Sequence, residues 1–311
     1  MFQRIVVITK KTRMQELLDR HCSREQGAFF LSSRGGSIEE YEIEHAAYSQ
    51  SLQALKKALP ASVSRYEVER TELPHVLFRD TDLLLVIGPD GLCANTAKYA
   101  GNLPMLTVNP DPERVDGKLM LFSPREAAAK LPQLLKGKFD CHNLTLAEAK
   151  TNDGQRLLGF NDFLIGRRDQ ISARYTLHYD GKTERQSSSG ILVSTGVGSS
   201  GWLSSAVNGM RGAGGNSFFG LQTHAGSIAV PFEWDAEYLA FLVREPFRSR
   251  FTGASLVAGK ITKRYPLAVT SEMPEGGVVF SDGVPEDALE FNSGSIVTIN
   301  LAPNKARLIA R

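Results

Sequence analysis

Up to about residue 138, short apolar runs alternate with stretches of helical periodicity. The runs at 4–9, 82–87 and 105–108 read as strands, and the patterns at 12–22, 40–58, 92–100 and 125–137 as helices. That alternation predicts a parallel, doubly wound sheet. The run Leu83-Leu84-Leu85-Val86-Ile87 is apolar throughout, as a parallel strand covered on both faces must be, so a central place in the sheet is expected for it. After Phe139 the texture changes to short strand-like runs at 172–179, 190–195, 255–261, 267–270, 277–281 and 295–300, separated by Gly, Asp and Pro turns. The chain thus reads as an α/β N-terminal domain over 1–138 and a predominantly β C-terminal domain over 139–311. The boundary falls at Lys136-Gly137-Lys138, and the last residues are expected to pack back on the first domain. The glycine-rich stretch from Gly209 to Gly220 reads as a mobile loop.

Composition narrows the partners. At 311 residues and 42% hydrophobic, the chain can bury one large or two ordinary cores. Lys and Arg number 36 against 34 for Asp and Glu, a formal charge of +2, so no long-range field favours nucleic acid or an anionic membrane. Neither partner is expected. The start, from Met1 to Ile8, reads as a first strand rather than a signal peptide, and no apolar run approaches membrane-spanning length. Cys22, Cys93 and Cys141 are odd in number and far apart, which suits a reducing, cytoplasmic compartment; with six scattered histidines, no metal site is expected.

Two glycine-rich stretches carry candidate chemistry. The apolar strand ending at Ile87 runs into Gly88-Pro89-Asp90-Gly91-Leu92 and then a helical pattern. Pro-Asp-Gly is a common turn string. The same position, beyond the carboxyl end of a parallel strand, also suits a phosphate loop, with Asp90 accepting a proton from a substrate hydroxyl. The second stretch runs from Ser187 to Trp202. There an apolar strand, Ile191 to Val193, enters a loop of small and hydroxyl residues and then a helix carrying Trp202, an arrangement suited to phosphates, riboses or a base edge and unlike a flexible linker. Lys10, Lys11 and Arg13 follow the first strand, either as partners for triphosphate oxygens or as a charged helix start.

Taken together, these stretches resemble the NAD kinase family. IGPDGL (87–92) stands where the family has its Gly-Gly-Asp-Gly-Thr motif, and GFNDFLIG (159–166) where it has an Asn-Glu pair. LVSTGVGSSGW (192–202) matches its Ser/Thr/Gly loop, and FSDGVP (280–285) its late Asp-Gly turn. The second and third pieces resemble the mitochondrial-type branch more than the common bacterial enzymes. The resemblance implies transfer of a phosphoryl group from ATP or another triphosphate, accompanied by Mg2+, to the 2′-hydroxyl of the adenosine ribose of NAD, giving NADP. It implies Asp90 as general base and Gly88 and Gly91 as shapers of the phosphate loop. It further implies that Asn161 and Asp162 hold the adenosine part of NAD, that Thr195, Gly198, Ser199, Ser200, Gly201 and Trp202 line the NAD site, and that Ser205 lies on the register of another contact. Asp282 reads as a turn residue. A homodimer or higher homo-oligomer also follows from the resemblance.

The departures are specific. Pro89 replaces the motif's second glycine and removes a backbone N–H, Leu92 replaces its threonine, and Ser188 and Ser189 stand where ordinary members carry an acid. Two alternatives therefore stay open: an NAD(P)- or nucleotide-binding regulatory homologue without turnover, and a kinase of the same superfamily with a different hydroxyl acceptor.

Overall fold

The computed structural model describes residues 2–214, 221–223 and 226–311, and the side chains among them except at 213–214, 221–223 and 226–227. The chain divides into two compact units, one of residues 1–142 with 307–311 and the other of residues 143–306.

Unit 1 contains β1 (Arg4–Thr9), α1 (Arg13–His21), α2 (Arg24–Ser32), α3 (Ile38–Ala58), β2 (Ser64–Glu69), β3 (Asp82–Ile87), α4 (Asp90–Tyr99), β4 (Pro104–Val108) and α5 (Pro124–Leu135). Its strands run β2-β1-β3-β4, all parallel, and Arg307 and Leu308 pair in parallel with Pro104 and Met105. As its apolar run requires, β3 lies inside the sheet. Leu83, Leu85 and Ile87 pack with Tyr48 and Leu55 of α3 and Leu131 and Leu134 of α5, while Leu84 and Val86, on the opposite face, are equally buried. Asp82 begins this strand fully buried because Arg4 of β1 meets both its oxygens, at 2.9 and 2.5 Å.

Unit 2 is predominantly antiparallel. It holds most of β5 (Cys141–Thr151), then β6 (Arg156–Gly159), β7 (Asp162–Arg167), β8 (Ala173–Tyr179), β9 (Lys182–Ser188), β10 (Ile191–Ser194), α6 (Trp202–Gly214), β11 (Leu221–Thr223) and β12 (Gly226–Ile228). It continues through β13 (Leu239–Val243), β14 (Ala258–Ile261), β15 (Leu267–Ser271), β16 (Gly277–Ser281), β17 (Val284–Glu290) and the greater part of β18 (Ile296–Ile309). One antiparallel sheet runs β14-β13-β10-β7-β16-β17, and β18, β15, β8 and β9 pair in that order in another. Phe163, Ile165, Val193 and Phe241 of the first meet Tyr175, Leu177, Val269 and Ile299 of the second in one core. The other face of β10 and β13 is covered by Leu203 and Val207 of α6.

Residues 209–214 end helix α6 rather than forming a loop; residues 215–220 lie outside those described. Leu203, Ala206, Val207 and Met210 recur at helical spacing and pack on the sheet, and that apolar face outweighs the roughly 1 kcal/mol cost of each interior glycine. Helix α2, capped by the Ser23 side chain, and strand β2, buried only at Val68 and half-buried at its end, escaped the sequence reading.

Candidate functional site

In unit 1 the segments that leave β1, β3 and β4 emerge at the same edge of the sheet, because the three strands are parallel. They enclose a pocket of ≈ 350 Å³, whose walls include Lys10, Lys11 and Arg13 after β1, Gly88 and Pro89 after β3, and Asn109 to Asp111, Arg114 and Val115 after β4. This is the edge at which open α/β sheets bind ligands. Lys11 pairs with Asp19 at 2.7 Å and Arg13 with Glu44 at 2.5 Å, both on the surface. Arg13 also lies 4.5 Å over the Tyr41 ring. Exposed pairs of this kind are worth at most about 1 kcal/mol, so an arriving polyphosphate can exchange for the carboxylates. Thr12 caps α1 through a capping box with Gln15, so the cations belong to a helix start and to the pocket at once.

Pro89 is the N-cap of α4 and supplies no side-chain cap. The Gly88 conformation brings the chain so close to the next turn that a Cβ there would lie 2.9 Å from Leu92, whereas Gly91 faces open space. Asp90 is partly buried at the first position of α4, where the helix dipole favours an acid. Its carboxylate accepts from the backbone amides of Lys118 at 3.0 Å and Leu119 at 2.9 Å. A carboxylate has about four acceptor sites, so these bonds leave capacity for a hydroxyl while fixing the side chain against the loop after β4.

In unit 2 the second set converges on the ends of β7, β10 and β16. Asp162 and Ser194 are cross-strand partners. Asp282 and Gly283 form a two-residue turn with φ of 54° and 69°, the pairing that a tight hairpin with two left-handed residues demands. The Asp282 carboxylate accepts from the amides of Phe160 at 3.0 Å, Asn161 at 2.6 Å and Asp162 at 3.3 Å, so it shapes the turn that presents the Asn-Asp pair. Asp162 Oδ1 is buried with no hydrogen-bond partner among the described residues. Burial pushes this carboxyl up to about 7; the neighbouring Ser194 hydroxyl pulls it down, and the charge of Asp282 adds to the rise. An enclosed acceptor without a donor is costly unless a ligand supplies one.

The 194–202 loop divides in two. Thr195 and Ser199 are fully buried: Thr195 Oγ1 donates to Phe160 O at 2.7 Å and Ser199 Oγ to Gly196 O at 2.6 Å, so both hydroxyls build the loop. A Cβ on Gly196 would fall 1.8 Å from Glu233 O, and one on Gly198 would fall 2.3 Å from Asn161 O and 2.7 Å from Asp162 Oδ1. Ser200, Gly201, Trp202 and Ser205 are exposed; Ser205 Oγ donates to Gly201 O, and the Trp202 ring lies 5.4 Å from the Arg244 guanidinium. Asn161 is half-buried, and its carbonyl accepts from the Thr195 amide at 2.9 Å. Asn161, Asp162, Thr195 and Gly198 are thus brought together, as are Lys10, Arg13 and Gly88 in unit 1. Sequence reasoning passed over Ser194, Asn109 and Arg114. Only Asn109 left a local trace, in the turn string Asn-Pro-Asp.

No family model matches the chain. Among curated proteins it is 24% identical over 388 aligned positions to NAD kinase 2, mitochondrial, of Xenopus tropicalis, covering 95% of this chain and 87% of that one. Over most of its length the chain is therefore similar in sequence to mitochondrial NAD kinases. It is also 23% identical over 372 positions to human NAD kinase 2, mitochondrial, covering 95% of this chain and 81% of the relative. Yeast NADH kinase complexed with NADH superposes with a TM-score of 0.60 at 16% identity, over 100% of this chain and 84% of that one. An NAD kinase from Archaeoglobus fulgidus in complex with ATP gives 0.57 at 17% identity, over 99% and 93%. The fold, a parallel α/β unit followed by an antiparallel β unit, is therefore the NAD kinase fold.

Proposed function

We propose that this protein is an NAD kinase-like phosphotransferase, moving the terminal phosphoryl group of ATP or another triphosphate to the adenosine-ribose 2′-hydroxyl of NAD to give NADP. The observation that carries this reading is Asp90, placed at the first turn of α4 beyond the carboxyl end of central strand β3, in the segment that also contributes Gly88 and Pro89 to the cation-bearing pocket. The Asp90 carboxylate takes the 2′-hydroxyl proton as that oxygen attacks the terminal phosphorus. The bond to the bridging oxygen breaks and ADP leaves. Lys10 and Arg13 meet the phosphate oxygens, and magnesium arrives with the triphosphate as part of the substrate. Asn161 and Asp162 hold the adenosine part of NAD, and the buried Asp162 Oδ1 accepts from it.

We place the activity in a reducing, cytoplasmic compartment on the strength of three free cysteines, and read the protein as a homodimer or larger homo-oligomer, which light scattering tests. The deciding experiment incubates the purified chain with NAD, ATP and Mg2+ and measures NADP directly. Asp90→Asn is expected to abolish turnover and leave NAD binding intact. A second reading, a nucleotide-binding regulator without turnover, is favoured by Pro89, which lacks an N–H at the phosphate loop, and by the two amides already on Asp90. NAD and ATP binding without NADP formation would select it.

A further inference from the structure

The loop that follows β4 forms one wall of the unit 1 pocket, and a single buried amide side chain holds its shape. Asn109 is 4% exposed. Its Nδ2 donates to Val115 O at 2.6 Å, its Oδ1 accepts from Asp111 N at 3.0 Å, and its own N–H donates to Phe122 O at 2.8 Å. Only a side chain with both a donor and an acceptor satisfies the first two bonds. Gly117 closes the loop from the other side: its φ is +54°, and a Cβ on it would lie 2.8 Å from Asn109 Nδ2. At the far end, the Lys118 and Leu119 amides are gripped by Asp90, and Leu119 O accepts from the Thr107 hydroxyl at 2.7 Å. The loop is therefore pinned at its start, its middle and its end. Held on it is Arg114, whose guanidinium pairs with Asp111 at the pocket wall and remains 40% exposed.

We infer that Asn109 is a positioning residue which sets Arg114 against the pocket as a further ligand for the phosphates of the nucleoside triphosphate, alongside Lys10 and Arg13. The inference rests on the proposed function for the identity of the ligand. Arg114 is 40% exposed although its partner Asp111 is only 16% exposed, so the guanidinium keeps a free edge toward the pocket, and a planar guanidinium bonds two phosphate oxygens at once. Asn109 acts only through the loop, so its loss and the loss of Arg114 remove the same contact.

The test measures equilibrium binding of Mg·ATP and, separately, of NAD to the full chain, with steady-state kinetics, for Arg114→Ala, Asn109→Ala, Asn109→Asp, Gly117→Ala and the Asn109/Arg114 double variant. Arg114→Ala, an exposed position expected to fold normally, should weaken Mg·ATP binding about tenfold and leave NAD binding within about twofold. Asn109→Ala should do the same and raise KM for ATP more than it lowers kcat; Asn109→Asp, which keeps the acceptor, should fall between it and the wild type, and Gly117→Ala should weaken Mg·ATP alone. The double variant should be no weaker than Arg114→Ala, because the two residues act as one. Additive losses, unchanged Mg·ATP binding in Arg114→Ala or Asn109→Ala, or equal loss of NAD and ATP would overturn the inference. If the wild type forms NADP while these variants bind Mg·ATP normally, the inference fails and the phosphotransfer reading stands. If the wild type binds Mg·ATP through Arg114 but forms no NADP, the reverse holds.

Discussion

Asp162→Asn should make the protein more stable, and more so as the pH rises. The carboxyl is held at about 7 in the folded chain, against an ordinary 3.8, chiefly because Oδ1 is enclosed without a donor. Between those two values the folded state binds more protons than the unfolded state, so unfolding free energy falls as pH increases. At about 1.36 kcal/mol per unit, the carboxyl costs on the order of 2 kcal/mol at pH 5 and on the order of 4 kcal/mol at pH 8, a loss of about 2 kcal/mol across the window. The residue as a whole is only half-buried, so water relieves part of this and the figure is an upper bound. Asparagine has no proton to lose and removes the slope. Urea unfolding of wild type and variant at pH 5, 6, 7 and 8 is the assay. The stability gap between them should widen by about 1 to 2 kcal/mol from pH 5 to pH 8. A constant gap would refute the reasoning, since a structural effect of the substitution carries no pH dependence. NAD added in excess should narrow the gap at pH 8 if the ligand supplies the missing donor, because binding to the folded state then favours the carboxylate.

The other predictions concern the two glycine-rich segments. Asp90→Asn should eliminate NADP formation and, because an asparagine oxygen can serve only one of the Lys118 and Leu119 amides well, lower stability by about 1–2 kcal/mol; retained turnover in a direct NADP assay would remove Asp90 as the base. Pro89→Gly restores a backbone donor at the proposed phosphate loop and should tighten Mg·ATP binding by about 1 kcal/mol while costing a similar amount of stability, and calorimetry that finds no tightening would show that the missing N–H is immaterial. Gly196→Ala drives a Cβ to 1.8 Å from the Glu233 carbonyl oxygen, a backbone atom that cannot swing aside, so stability should fall by about 2 kcal/mol or more; an unchanged melting temperature would mean the loop relaxes freely.

What could be read from the chain beforehand follows the range of the forces involved. β3 and α4 were legible because burial on both faces of a parallel strand writes itself as five consecutive apolar residues, and the stop at Gly88-Pro89 writes itself as turn chemistry. The helix carrying Trp202 was read, but its end from Gly209 was misjudged as loop because glycine is a local signal, whereas the face formed by Leu203 and Val207 gains its stability from a sheet assembled out of distant strands. The phosphate-loop reading named Asp90 but not the grip on Lys118 and Leu119, 28 and 29 positions away, since nothing in IGPDGL records which amides will lie opposite. Asp162 is the extreme case. Its raised pKa depends on the β7–β10 register that places Ser194 across from it and on a carboxylate 120 residues later in the chain that bends the turn beneath it. The proposed ligand contact at Asp162 is visible in sequence only through resemblance to a family, whereas its physical signature, a buried oxygen with no donor, exists only once the strands have paired. That is why the titration of Asp162, rather than the motif that contains it, is the sharper test of whether this half of the protein was built to hold something.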